Sequence, residues 1–154
     1  MVTPVTKETI THSIYQNFYD IVSAIEAGPG AGNIFYDRIF PSMPDVDLNF
    51  VSSYPIIILE SPETSQKIFS IGLNETEGTI NFNVFATSAK TRDLIIDKIR
   101  NAIEVNRGLL ATNHIRQIEI GTITMQQIAR GKIKVNYCTI PIKFKFYSEK
   151  TQAF

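Results

Sequence analysis

Few residues in this chain have the right type to do chemistry, and those few stand apart. It has two histidines and one cysteine. His12 and His114 lie far apart in sequence, and a metal site needs clustered ligands at a set spacing. Each reads as a surface or helix-end histidine. Asp45-Val-Asp47 offers two carboxylates at i and i+2. They could hold a cation weakly, but turn chemistry explains them better. Glu75 and Glu77 flank a turn-like stretch and read as solubilising. Cys138 sits between Tyr137 and Thr139 in a strand-like run, which suits a buried, inert thiol.

Nucleophile chemistry finds no support either. No glycine elbow surrounds a serine, and no base stands at a fixed spacing from one. Gly28-Pro-Gly-Ala-Gly32 has no following lysine and no strand before it, so it is a helix terminus and not a phosphate loop. The remaining chemical signal is basic. Lys132, Lys134, Lys143 and Lys145 project from a hydrophobic strand near Tyr137 and Phe144. Basic strand faces with aromatics can track a nucleic-acid backbone. The polar face of a half-buried strand has the same pattern, and edge lysines also block unwanted sheet pairing. The residues predict no metal, no cofactor and no catalytic set.

The chain has 154 residues and zero formal net charge. That length favours a single domain over residues 1–154, and no whole-chain field draws in nucleic acid or anionic lipid. The charge is uneven along the chain. Met1 to Ile115 carries 8 basic and 13 acidic residues, and Arg116 to Phe154 carries 7 basic and 2 acidic. Two faces of opposite sign, or short-range pairing that cancels them, both fit this split. No window reaches the ~18 uninterrupted apolar residues of a membrane span. The N-terminus lacks a signal-peptide pattern. Soluble synthesis in a cytoplasm, with no membrane partner, is the expectation.

Apolar periodicity supplies the elements. Ile10, Ile14, Phe18, Ile21, Val22 and Ile25 recur at helical steps and predict a helix over Thr6 to Ala27, stopped by Gly28-Pro29-Gly30. Residues 28–53 are irregular, rich in Gly and Pro, and also rich in aromatics. Such a segment packs over its own core or docks on a neighbour, and a short strand at Ile34–Tyr36 is one option within it. Pro55-Ile-Ile-Ile-Leu59 reads as a strand covered on both faces. Lys67–Leu73 and Thr79–Ala86 read as two more, joined through Asn74–Gly78. Ser88 offers an N-cap to a second helix, whose inward stripe is Leu94, Ile95, Ile99, Ala102 and Ile103, ending at Asn106-Arg107-Gly108. Ile115–Thr124 reads as one strand, with Gly121 as a bulge or close approach.

Gly131 then marks a turn into the last strand. There Ile133, Val135 and Tyr137 alternate in one phase, and Ile140, Ile142, Phe144 and Phe146 in the other. A β-bulge near Cys138–Thr139 would re-phase them, and Pro141 supports an irregular or edge position. Residues 148–154 read as a frayed tail. The fold class expected is α+β: a mainly antiparallel sheet of about five to six strands with two helices on one face. The other face carries Phe85, Ile123 and Phe69, more apolar than solvent requires.

The order of these elements resembles the tail-completion or tail-terminator proteins of tailed phages. A helix comes first, then a loop ending in Tyr54-Pro-Ile-Ile-Ile. A strand of the form G-x-I-x-F-x-V-F follows at Gly78–Phe85, then S-A-K-x-x-x-x-x-I-x-x-x-I at Ser88–Ile99. A hairpin ending in I-x-F-x-F at Ile142–Phe146 closes the series. The resemblance spans roughly Ile10 to Tyr147 and rests on order and hydrophobicity. Residues 28–53 exceed the family's usual connection.

The resemblance implies a non-enzymatic structural subunit of the virion tail or neck. Such subunits form a homo-oligomeric ring, usually hexameric, that terminates the tail tube. They meet a tail tube protein and a head–tail connector protein, and DNA only passes through the lumen. Sequence chemistry supplies the interface candidates: Phe35, Tyr36 and Phe40 as aromatic anchors, with Phe85, Ile140, Ile142, Lys143 and Lys145 on an apolar face and a strand edge open to β-augmentation. The alternatives are a small nucleic-acid-binding α+β domain using the basic C-terminal strand face and, less well supported, an enzyme whose site gathers scattered residues.

Overall fold

A computed structural model of the chain describes residues 10–25, 35, 38–46, 48, 50, 53–70, 73–130 and 133–149. Among them are three helices and seven strands in one mostly antiparallel sheet. The fold class is α+β.

Two long strands form the centre. β4 (Leu73–Ala86) pairs antiparallel with β7 (Ile133–Glu149) without interruption, from Leu73 opposite Glu149 to Ala86 opposite Asn136. Shorter strands flank each of them, two to a side. β2 (Ile56–Leu59) and β3 (Glu63–Ser70) lie along the two halves of β4. β5 (Ile115–Ile120) and β6 (Thr124–Arg130) lie along the two halves of β7. β1 (Ile39–Phe40) adds a short parallel pairing to β2.

The even-numbered residues Ile80, Phe82 and Val84 of β4 and Ile140, Ile142, Phe144 and Phe146 of β7 share one buried core. It also takes in α1 (Ile10–Ser23) through Ile14, Phe18, Ile21 and Val22, and α2 (Ala89–Val105) through Ile95, Ile96, Ile99 and Ile103. A second, smaller core lies on the odd-numbered side. Tyr54, Ile56, Phe85 and Val135 form it, with Phe40, Leu48, Ile128 and Tyr137 packed around them.

That second core corrects one sequence expectation. The phase change in β7 is not a bulge, because the β4–β7 register runs straight through Cys138 and Thr139. Val135 and Tyr137 fill the second core, while Cys138, Ile140 and Ile142 fill the first. The strand simply changes which of its faces is buried. The bulge lies in β5, between Arg116 and Glu119, where Gln117 takes a φ of 52°.

Other boundaries also move. The reversal between β3 and β4 pairs Ser70 with Leu73, so Asn74–Gly78 is strand and not turn. Ile115–Thr124 divides into β5 and the start of β6, separated by Gly121 to Ile123. A short helix, α3 (Arg107–Thr112), follows α2 where the sequence suggested only a stop. Leu94 points outward and Ile96 inward on α2. Ile123 packs against the first core and not the opposite face. β7 continues through Glu149, past the start of the expected tail. Phe35 is a bend and not strand, while Ile34, Tyr36 and the Gly28–Gly30 stop fall outside the described residues.

Local chemistry fixes the helices. The Ser88 hydroxyl oxygen accepts from the Thr91 backbone N–H at 3.1 Å, a side-chain N-cap on α2. Ser88→Ala is expected to lower unfolding free energy by about 0.5–2 kcal/mol, read as a shifted urea midpoint at unchanged slope. On α1 the buried Asn17 donates to the Ser13 carbonyl at 2.7 Å and accepts from Asn113 Nδ2 at 3.2 Å. This ties α1 to the end of α3. Arg107 pairs with Glu104 and donates to the Ile118 carbonyl at 2.6 Å, holding the bulged strand against the helices.

Candidate functional site

The odd-numbered face of the sheet divides into an apolar half and a charged half. Between them runs a belt of hydrogen bonds. Tyr137 Oη lies 3.1 Å from Asn83 Oδ1 and 2.9 Å from Thr139 Oγ1, and Thr139 Oγ1 donates to Asn83 Oδ1 at 2.7 Å.

The charged half holds a trough of about 770 Å3, lined by Glu63, Glu77, Glu119, Lys143 and Lys145 with smaller residues between them. Lys145 Nζ stands 3.3 Å from Glu75 Oε1 and 3.3 Å from Glu77 Oε1. These hydrogen bonds, Glu75's first, raise the lysine above its ordinary pKa. Lys143 faces Thr79 on one side and Glu119 on the other. Acidic and basic residues thus interleave on this face, where Glu63, Glu75, Glu77 and Glu119 outnumber Lys143 and Lys145. Lys134 is exposed at the far end of β7, and Lys132 lies outside the described residues. No continuous basic stripe forms along β7 among the described residues.

The expectation that Lys143 and Lys145 lie on a strand edge is overturned. At both positions β7 is paired on both sides, to β4 and to β5. The reason is the length of β7, which seats β5 and β6 end to end along its outer side. β6 borders only β7 among the described residues, and it carries no charged residue and no proline from Thr124 to Ala129. Natural edge strands are normally blunted by one or the other.

The aromatic and apolar candidates fall in different places. Ile140 and Ile142 are fully buried in the first core, and Phe35 joins them there. Phe85 is buried in the second core, its ring 4.8 Å from that of Tyr137. Phe40 is half-buried against the same core. These side chains therefore pack within their own protomer. Tyr36 lies outside the described residues.

The segment after β1 instead turns another set outward. Leu48 packs on the second core, and Tyr54 Oη donates to the Leu48 carbonyl at 3.0 Å, fastening the segment from within. Met43, Val46 and Phe50 face solvent, Phe50 at 60% of its full exposure. Sequence reasoning placed their segment over its own core or on a neighbour but did not choose these three as its anchors. The only available signal was their place among Pro41, Pro44 and Asp45, which form turns that push neighbouring side chains outward.

The remaining chemical residues stay apart. His12 is exposed, and exposed His114 meets the edge of the Phe146 ring at 6.2 Å. Asp45 is exposed, and Asp47 lies outside the described residues. Among the described residues no three His, Cys, Asp or Glu side chains gather as a metal site would require. No helix among them is long and apolar enough to cross a membrane.

Cys138 sits in the first core with no exposed surface, and burial pushes its thiol up to about 11. The unfolded thiol ionises first as pH rises, so the unfolded state then binds fewer protons than the folded one. Stability is therefore expected to fall between pH 9 and 11 by an amount on the order of 2 kcal/mol from this group. Ellman's reagent should leave the native thiol untouched at pH 8 and label it once urea unfolds the chain.

The chain matches no protein-family model, and no curated protein matches it.

Proposed function

We propose that this chain is a structural subunit of a phage-like tail, one copy of a closed ring that ends the tail tube and joins it to the head connector. The observation that carries the reading is a segment fastened to the second core that turns three large apolar side chains, Met43, Val46 and Phe50, to solvent as its outward tip. Monomeric surfaces rarely gather large apolar side chains on a fixed segment without a partner to cover them. Aromatic and Met side chains are also what interface cores favour. The unguarded border of β6 offers a second contact, since a neighbouring strand can extend a sheet through backbone hydrogen bonds alone. The order of elements also supports the reading: a first helix, two long paired strands with α2 between them in sequence, and a closing β-hairpin.

The charge arrangement counts against a nucleic-acid-binding domain. Phosphate contacts need uncommitted cations, whereas Lys145 is held between two glutamates and Lys143 lies beside a third. Negative-stain electron microscopy of the purified protein tests the proposal. Rings of one diameter are the expected image, and a field of single small particles would count against it.

A further inference from the structure

A groove lies on the helix side of the sheet, away from the second core that anchors the tip segment. It runs between α1 and the end of α2, holds about 270 Å3 and is lined on its apolar part by Ile21, Ala24, Ile25, Ala102 and Val105. Val105 is 74% exposed there although it is a large aliphatic side chain at the end of a helix. Lys98 and Asn101 form the polar rim.

We infer that this groove receives the Phe50 tip of a second copy of the same chain. The inference rests on the ring reading above and names the contact that would close it. Four features support a second copy as the occupant. The groove's volume suits a single aromatic side chain with its aliphatic neighbours. Leu48 and Tyr54, on either side of Phe50 in the chain, pack on the second core, whereas the groove lies between two helices of the first, so one molecule cannot fill its own groove with its own tip. Charge is complementary: exposed Asp45 stands within the tip, and Lys98 stands on the groove's rim. Finally, a patch on one surface that fits a recess elsewhere on the same molecule makes a head-to-tail contact. Such a contact closes into a ring when its rotation permits.

Two sets of variants test this contact. Val105→Arg fills the mouth of the groove from a side chain that is 74% exposed, so folding should survive. It is expected to return the assembly to a 17.3 kDa protomer with an unchanged urea midpoint. Phe50→Cys and Val105→Cys proteins, mixed and treated with a short bismaleimide, are expected to cross-link to each other. Neither should cross-link alone, because the native Cys138 thiol is buried. An intact oligomer for Val105→Arg, with no cross-link in the mixture, would overturn the groove contact and leave the ring reading standing. Self-linking of Phe50→Cys alone would overturn it in favour of a tip-to-tip dimer. A wild-type protein that is monomeric at all concentrations would remove both the contact and the ring.

Discussion

Replacing Phe144 with alanine is expected to lower unfolding free energy by about 3–5 kcal/mol, which is a large share of the ~5–15 kcal/mol that holds a typical domain folded. Phe144 lies under α1, its ring 6.1 Å from that of Phe18, and it covers the β4 position where Gly78 provides no side chain. A Cβ at Gly78 would stand 2.6 Å from Phe144 Cζ and 2.9 Å from the Glu63 carbonyl oxygen. Gly78→Ala is therefore expected to cost about 1–3 kcal/mol through overpacking. The two sites share one volume, so their effects should not add. In a Phe144→Ala background, Gly78→Ala should cost clearly less than it does alone, and only the contact with the Glu63 backbone should remain. Urea unfolding of the four proteins measures the coupling directly. Additive losses would mean that Phe144 does not depend on the glycine beneath it.

Phe50→Asp is expected to weaken self-association at least thirtyfold while leaving the unfolding free energy within about 0.5 kcal/mol of the parent. The first number follows from the ~2 kcal/mol or more that a buried aromatic anchor contributes at an interface. The second follows from its exposure, since substitutions that leave the core untouched change stability little. Phe40→Asp provides the contrast. Phe40 packs against the second core from the same segment, so its loss should destabilise the protomer itself. Sedimentation velocity reads association and urea titration reads folding. An effect of Phe50→Asp on folding alone would place that side chain in the protomer's own packing.

The helices and the strands on either side of α2 were legible because their apolar spacing is local and strong. Ile14, Phe18, Ile21 and Val22 form a helical stripe whatever covers it. The alternation of Ile80, Phe82 and Val84 likewise fixes a strand. Across β7, periodicity reports only which residues are buried. It cannot separate a bulge from a change of buried face. That distinction depends on Tyr54, Ile56 and Phe85 arriving from distant parts of the chain to build a second core. The hairpin was misplaced for a related reason. Asn74-Glu-Thr-Glu-Gly78 has turn-forming composition, yet Glu75 is buried beside Lys145, a partner about seventy positions away. Pairing of this stretch to β3 on one side and β7 on the other overrode local propensity.

The candidate surface was less legible than the fold. Aromatic type suggested Phe35, Phe40 and Phe85 as anchors, but aromatics serve cores as readily as interfaces. Only the packing separates Phe85, which is buried, from Phe50, which is exposed. The Lys143–Lys145 strand looked like a border because lysines guard edges. In the fold Lys145 pairs with glutamates of β4 and Lys143 stands beside Glu119 of β5, and the unguarded border belongs to β6, which carries no charge before Arg130.

Mass photometry of the purified chain over a wide concentration range tests head-to-tail closure most directly. One discrete species at a fixed multiple of 17.3 kDa, with nothing larger as concentration rises, is the expected result. A 17.3 kDa protomer throughout, or an open-ended ladder of growing sizes, would contradict it.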